Sequence, residues 1–232
     1  MLYYIKTNGK ICIILLRITL RVCGGLMVVY MIKNIVFDMG GVLIDYNPEK
    51  TLYSLFDKET ADIALKEIFR NNLWRERDRG TVTSDEIMQI AGDKIPPHAY
   101  EKVSELTHNL FPYMKPFPKM YDYIVELKEK GFGIYLLSNA SPDFYENKDT
   151  IPALSLFDGY LISADWKLLK PEKEIYEKLY EVFNLRPEEC VFIDDVPENV
   201  EGAEKTGMKA ICYAHGDIEI LKKELDAIIN AR

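Results

Sequence analysis

Five short runs rich in aliphatic and β-branched residues recur along this chain, at 33–38, 133–138, 160–163, 190–194 and 209–213, with helical patterns between most of them. Runs of this length and apolarity suit strands buried on both faces. Their alternation with helices specifies a doubly wound α/β fold around a parallel sheet. Two runs stop on acid: IVF is followed by Asp38, and VFI by Asp194 and Asp195. Both groups therefore emerge at the carboxyl ends of their strands, the edge where open α/β sheets hold ligands.

The stretch 47–115 breaks the alternation. It has no strand pattern but contains helical segments at 58–71, 84–92 and 99–111. Thr83 or Ser84 can cap the second segment, with Glu86 close behind, and Pro96-Pro97 opens the third. The chain is therefore expected to fold as a core from 31–46 and 116–232, carrying a helical cap at 47–115. Pro112, Pro116 and Pro118 mark the return into a helix at 119–130, which Gly131 ends as a left-handed cap.

A length of 232 residues, 48% hydrophobic, supports one substantial core and a smaller insert. The formal net charge of -8 argues against a nucleic-acid partner. Cys12, Cys23, Cys190 and Cys212 show no metal-ligand spacing and are read as reduced thiols of a cytoplasmic protein. Residues 1–30 contain an apolar stretch interrupted by Arg17 and Arg21, which fits neither a membrane span nor a signal peptide. That segment is read as an over-extended start outside the fold, with Met31 or else Met27 the true beginning. A peripheral amphipathic helix is the alternative. No membrane partner is expected, and the protein is read as a monomer or weak dimer.

Four segments carry residues suited to phosphoryl transfer onto a carboxylate. Asp38, before the Gly40-Gly41 turn, is the candidate nucleophile, dividing one displacement into two. Ser138 and Asn139 follow the second strand, where a hydroxyl and backbone amides can hold phosphate oxygens. Ser141-Pro142 then reads as a helix start that would add its dipole. Lys170, before Pro171, is a point charge able to hold phosphate and restrain Asp38. Asp194 and Asp195 are costly to crowd together unless a cation neutralises them, and hard oxygen donors point to Mg2+. Asp194 is expected to coordinate directly, with Asp195 an outer or alternate ligand.

These four motifs, in this order, resemble the haloacid dehalogenase-like hydrolase superfamily from about residue 32 onward. Receiver domains use similar residues, but their acidic pair comes first, whereas here it comes last. FDMGGVLID and IDDVPENVEGA are most similar to the bacterial sugar phosphatases typified by glucose-1-phosphate phosphatase. The resemblance implies a type 1 cap, a metal site of Asp38, the Gly40 carbonyl, Asp194 and Asp195, and Asn199 orienting the acidic pair. It also implies a small phosphorylated metabolite as substrate. Superfamily phosphatases commonly carry a second Asp, as general acid and base, where this chain has Gly40. A missing positioned acid costs about 10²–10⁴ in rate, which an anomeric leaving group would feel least, so sugar 1-phosphates are favoured. NLWRERDRGTVTSDE resembles the cap turn of those phosphatases, with Trp74 and Arg77 placed to meet a sugar. The competing readings are a 2-haloacid dehalogenase, against which the acidic pair counts, and a regulatory protein that binds phosphate and metal without turnover.

Overall fold

The computed structural model describes residues 3–7, 10–14, 19–22, 25–28 and 31–231. At the N-terminus β1 (Tyr3–Thr7) pairs antiparallel with β2 (Lys10–Ile14), and β3 (Thr19–Val22) with β4 (Gly25–Val28). The helix considered for this segment is thus replaced by strands, in keeping with its Tyr, Ile, Thr and Val content. Neither pair joins the main sheet. The expectation for Cys12 and Cys23 lies outside the described side chains.

The main sheet contains β5 (Asn34–Phe37), β6 (Gly133–Ser138), β7 (Gly159–Ile162), β8 (Cys190–Asp194) and β9 (Lys209–Cys212). All are parallel, in the order β7-β6-β5-β8-β9. Each expected strand is present to within one residue at either end. Because β5 is central and the chain passes first to one side and then to the other, the carboxyl end of β5 is a topological switch point. The Asp38 N–H donates to the Ile193 carbonyl at 2.9 Å, continuing the ladder past the strand and setting Asp38 beside Asp194.

Between β5 and β6 lie α1 (Pro48–Leu55), α2 (Lys58–Ala64), α3 (Asn72–Arg79), α4 (Ser84–Ala91) and α5 (Tyr100–His108), with a π-helical turn, Leu65–Phe69, before α3. Leu52, Ile68, Trp74, Ile87, Val103 and Leu106 belong to a hydrophobic cluster of this insert's own. Its two connections pair with each other: the Asp45 N–H donates to Lys115 O at 2.8 Å, and the Phe117 N–H to Leu43 O at 2.9 Å. The expected helix at 58–71 is broken by the π-turn, and 72–79, read from sequence as a turn, is the helix α3. Asn71 caps its start by accepting from the Leu73 N–H, and Gly80, at φ 74°, ends it. The expected capping box of Thr83 and Glu86 opens α4.

The sheet is covered by α6 (Pro118–Glu129), α9 (Lys173–Phe183), α10 (Pro197–Glu204) and α11 (Ile218–Asn230), while α7 (Phe144–Asn147) and α8 (Ser163–Trp166) are short. Alternation along β5 sends Ile35 and Phe37 into a cluster with Ile124 and Leu127 of α6 and Leu221 and Leu225 of α11. Val36 joins Ile175, Tyr176 and Leu179 of α9 in the other cluster. Each such buried side chain contributes about 1.5–3 kcal/mol. One expectation is corrected: Ser141-Pro142 leads into a helix of only 4 residues, too short for a useful dipole. Among the described residues, no helix is long and apolar enough to cross a membrane.

Candidate active site

Parallel pairing brings Asp38, Ser138 and Asp194 to one edge, because β5, β6 and β8 are neighbours that end level. Lys170 reaches the same place from the segment before α9, and its ammonium joins two carboxylates. Nζ lies 2.7 Å from Asp38 Oδ1 and 2.7 Å from Asp194 Oδ2. The lysine is 3% exposed, Asp38 8% and Asp194 0%. Burial opposes a charge on Lys170, yet the two carboxylates outweigh it and hold the ammonium above its usual range. Burial pushes the Asp38 carboxyl up, Lys170 opposes that shift, and the Asp194 charge adds to it.

Asp194 is heavily bonded. Oδ1 accepts from the Val196 N–H at 2.8 Å, and Asn199 Nδ2 donates to Oδ1 and Oδ2 at 3.1 and 3.0 Å. Asp195 makes no side-chain hydrogen bond to another described residue, and burial, followed by the Asp194 charge, raises its carboxyl. One oxygen from each of Asp38, Asp194 and Asp195 lies within 4.8 Å of the others. The Gly40 carbonyl accepts no hydrogen bond among the described residues. Three carboxylates with one ammonium leave an excess of negative charge, and such oxygen donors fit a hard divalent cation.

The loop after β5 is shaped by glycine. Gly41 has φ 71°, and a Cβ built there would lie 2.2 Å from Asp195 Oδ2, so this carboxylate rests directly over the glycine. At Gly40 an added Cβ would lie 3.1 Å from Tyr46 Cβ; Tyr46 thus fills the space beside this position.

Ser138, 2% exposed, lines the cavity beside Asp38. Asn139 uses its side chain on the backbone of Lys170: Oδ1 accepts from the Lys170 N–H at 2.9 Å and Nδ2 donates to its carbonyl at 3.1 Å. The side chain expected to bind phosphate therefore also aims the lysine.

Above the strand ends, α3 supplies a wall of a cavity of about 250 Å³ that includes Asp38, Tyr46, Trp74, Arg77 and Asp78. Trp74 Nε1 donates to the Tyr46 hydroxyl at 3.0 Å. Arg77, 6% exposed, is largely committed. Nε donates to Ser84 Oγ at 2.8 Å, Nη1 to Ser141 Oγ at 2.7 Å, and Nη2 to the His108 carbonyl and the Asp143 carboxylate. Its Cζ also lies 4.7 Å from the centroid of the Trp74 ring. Four of five guanidinium donors are thus occupied, two of them by residues after β6, so Arg77 fastens α3 to the sheet. Sequence reasoning missed Tyr46 and Asp78; the spacing of Trp74 and Asp78, one helical turn apart between Asn71 and Gly80, was the available signal.

The profile of the haloacid dehalogenase-like hydrolases matches residues 32–207. The chain belongs to this family. It is 29% identical over 177 residues to a sesquiterpene phosphatase of Aspergillus oryzae, covering 76% of this chain and 87% of that protein. It is 26% identical over 213 residues to a D-ribitol-5-phosphate phosphatase of Bacteroides thetaiotaomicron, covering 87% and 100%. Its fold is similar to that of a haloacid dehalogenase-family enzyme of Bacteroides thetaiotaomicron, solved as an Asp-to-Ala mutant with magnesium and inorganic phosphate. The TM-score is 0.67 at 22% identity, with 82% of this chain and 98% of that chain covered. Within the haloacid dehalogenase-like superfamily, the chain is a phosphatase.

Proposed function

We propose that this protein is a Mg2+-dependent hydrolase that removes phosphate from a small metabolite, a sugar phosphate, through an aspartyl phosphate on Asp38. The Lys170 ammonium, held 2.7 Å from both Asp38 and Asp194 beside a third carboxylate at the strand ends, carries this reading. Asp38 attacks phosphorus as the ester bond to the alcohol breaks, and water then cleaves the acyl phosphate to restore the carboxylate. Ser138 donates to a phosphate oxygen, and Lys170 offsets charge and holds Asp38 in line. Asp38, the Gly40 carbonyl, Asp194 and Asp195 would hold Mg2+, with Asp195 offering the freer oxygens, and the bound ion would neutralise phosphoryl charge. The residues at 47–115 act as the cap that selects substrate, with Trp74 forming part of its wall and Arg77 holding it closed.

Gly40 places no acid two residues after the nucleophile, and a sugar 1-phosphate, whose anomeric oxygen leaves most readily, depends least on whatever group protonates it. A second reading, a terpenyl monophosphate, is favoured by the apolar side of the cavity at Leu110, Phe111 and Met114 and by the likeness to a sesquiterpene phosphatase. Phosphate release from sugar 1-phosphates, sugar 5- and 6-phosphates and a terpenyl monophosphate, each with Mg2+ and with EDTA, separates these readings. Release from sugar 1-phosphates only with Mg2+ is the expected result. Equal or better use of the 6-phosphate isomers would remove the anomeric argument, and full activity in EDTA would remove the metal. Gly41→Ala, which forces Asp195 aside, is expected to weaken Mg2+ binding about 10–100-fold by calorimetry. Unchanged affinity would show that Asp195 takes no part.

A further inference from the structure

The reaction proposed above needs a proton for the departing alcohol and a base for the attacking water, and position 40 supplies neither. An acidic side chain added at position 40 would meet Tyr46, whose Cβ already stands 3.1 Å from the added Cβ. Tyr46 itself is unsuited, because burial and then the nearby Asp78 charge push its phenol well above the range that transfers protons at neutral pH.

Four carboxylates line the cavity: Asp38, Asp78, Asp143 and Asp195. Asp38 is the nucleophile, Asp195 belongs to the acidic cluster, and Asp143 is paired with Arg77. Asp78 remains. Its carboxylate makes no hydrogen bond or ion pair among the described residues, although it lies on the cavity wall and beside a guanidinium with four of its five donors spent elsewhere. Its backbone, in contrast, is fixed to the sheet side of the cavity. Ser163 Oγ donates to the Asp78 carbonyl at 2.5 Å, and Arg79 makes a two-pronged contact with Glu172 at 2.9 and 2.5 Å. The side chain therefore lines the cavity shared with Asp38 on anchored main chain and is left free at its acidic end.

We propose that Asp78, brought by α3, is the general acid and base of this phosphatase, replacing a side chain at position 40. The inference rests on the aspartyl-phosphate reading given above. In the first half-reaction Asp38 attacks phosphorus, the bond from phosphorus to the alcohol oxygen breaks, and the Asp78 carboxylic acid gives that oxygen its proton. In the second, the Asp78 carboxylate takes a proton from water as the water oxygen attacks phosphorus. The bond to Asp38 breaks, phosphate leaves, and both aspartates return to their starting states. Burial raises the Asp78 carboxyl to about 7, with Arg77 opposing and Asp143 adding, which suits a group that must both give and take a proton near neutrality.

The test is rapid-mixing kinetics of the full chain with Mg2+ and 4-nitrophenyl phosphate, whose leaving group needs no proton, for wild type, Asp78→Asn, Asp78→Ala and Asp78→Glu. With either neutral variant, one equivalent of nitrophenol is expected in a fast burst, followed by turnover about 10²–10⁴-fold below wild type, because only the water step needs the base. Asp78→Glu should recover part of that turnover. Wild-type turnover in either neutral variant would overturn the role. Loss of burst and turnover together would do so as well, since that marks a structural effect. If wild-type turnover vanishes in Asp38→Asn but persists in Asp78→Asn, the aspartyl-phosphate reading stands and the inference falls. An inert wild type overturns both.

Discussion

Asp38→Asn is expected to lower phosphate release by about 10⁴-fold or more while leaving the fold intact. The amide keeps the shape of the side chain but has no anionic oxygen to attack phosphorus. Its backbone N–H still donates to Ile193, and Lys170 keeps Asp194 at 2.7 Å, so the strand ends lose one charge and no packing. Because burial already works against a charge on Asp38, the neutral variant should match the wild type within about 1 kcal/mol. Steady-state assays with urea unfolding check both halves, and acid-quenched wild type should carry phosphate on the peptide containing Asp38. Turnover within tenfold of wild type would rule out Asp38 as the nucleophile.

Lys170→Met is expected to be the single change near the site that costs the most stability. It replaces an ammonium by an apolar chain of similar length and leaves Asp38 and Asp194 buried without their shared cation. Removing one partner of a buried pair costs about 3–5 kcal/mol, because the remaining charge is neither solvated nor neutralised. Activity should fall by at least about 10²–10³-fold with the loss of a preorganised positive group. Urea unfolding should show the penalty in full with EDTA and in part with Mg2+, which would supply positive charge to the same carboxylates. Lys170→Arg should not restore activity: the lysine side chain is 1% exposed, and a planar fork cannot take the place of a compact ammonium there. Wild-type stability of Lys170→Met in EDTA would mean that the carboxylates are neutralised by some other route.

Asp38 and Asp194 stood out in the sequence because chemistry and periodicity coincided. IVF before Asp38 and VFI before Asp194 are apolar runs that stop on acid, and β5 and β8 end at those points. Strand periodicity is local, so it survives in the linear order, and parallel pairing brings the ends to one edge. The helical insert was legible for the same reason, through capping signals such as Thr83 with Glu86. The helix α3 was not. NLWRERDRG is too polar to show an apolar face, and its helicity depends on the burial of Trp74 and Arg77 against groups distant in sequence.

Arg77 shows the limit most clearly. By sequence it was an exposed cation available to a ligand; in the folded chain Ser84, His108, Ser141 and Asp143 take up its donors. Asn139 likewise has its side chain bonded to the backbone of Lys170. The sequence by itself determined the five strands and the helical insert, and it singled out Asp38, Ser138, Lys170, Asp194 and Asp195 as candidates, because each is written in residue types a few positions apart. Only the tertiary structure decided that Lys170 bridges two carboxylates, that Tyr46 occupies the space beside Gly40, and that Asp78 faces the cavity without a partner. Those facts depend on which distant segments meet, and no local pattern encodes a contact between residues that approach only when the sheet and the insert have closed on each other.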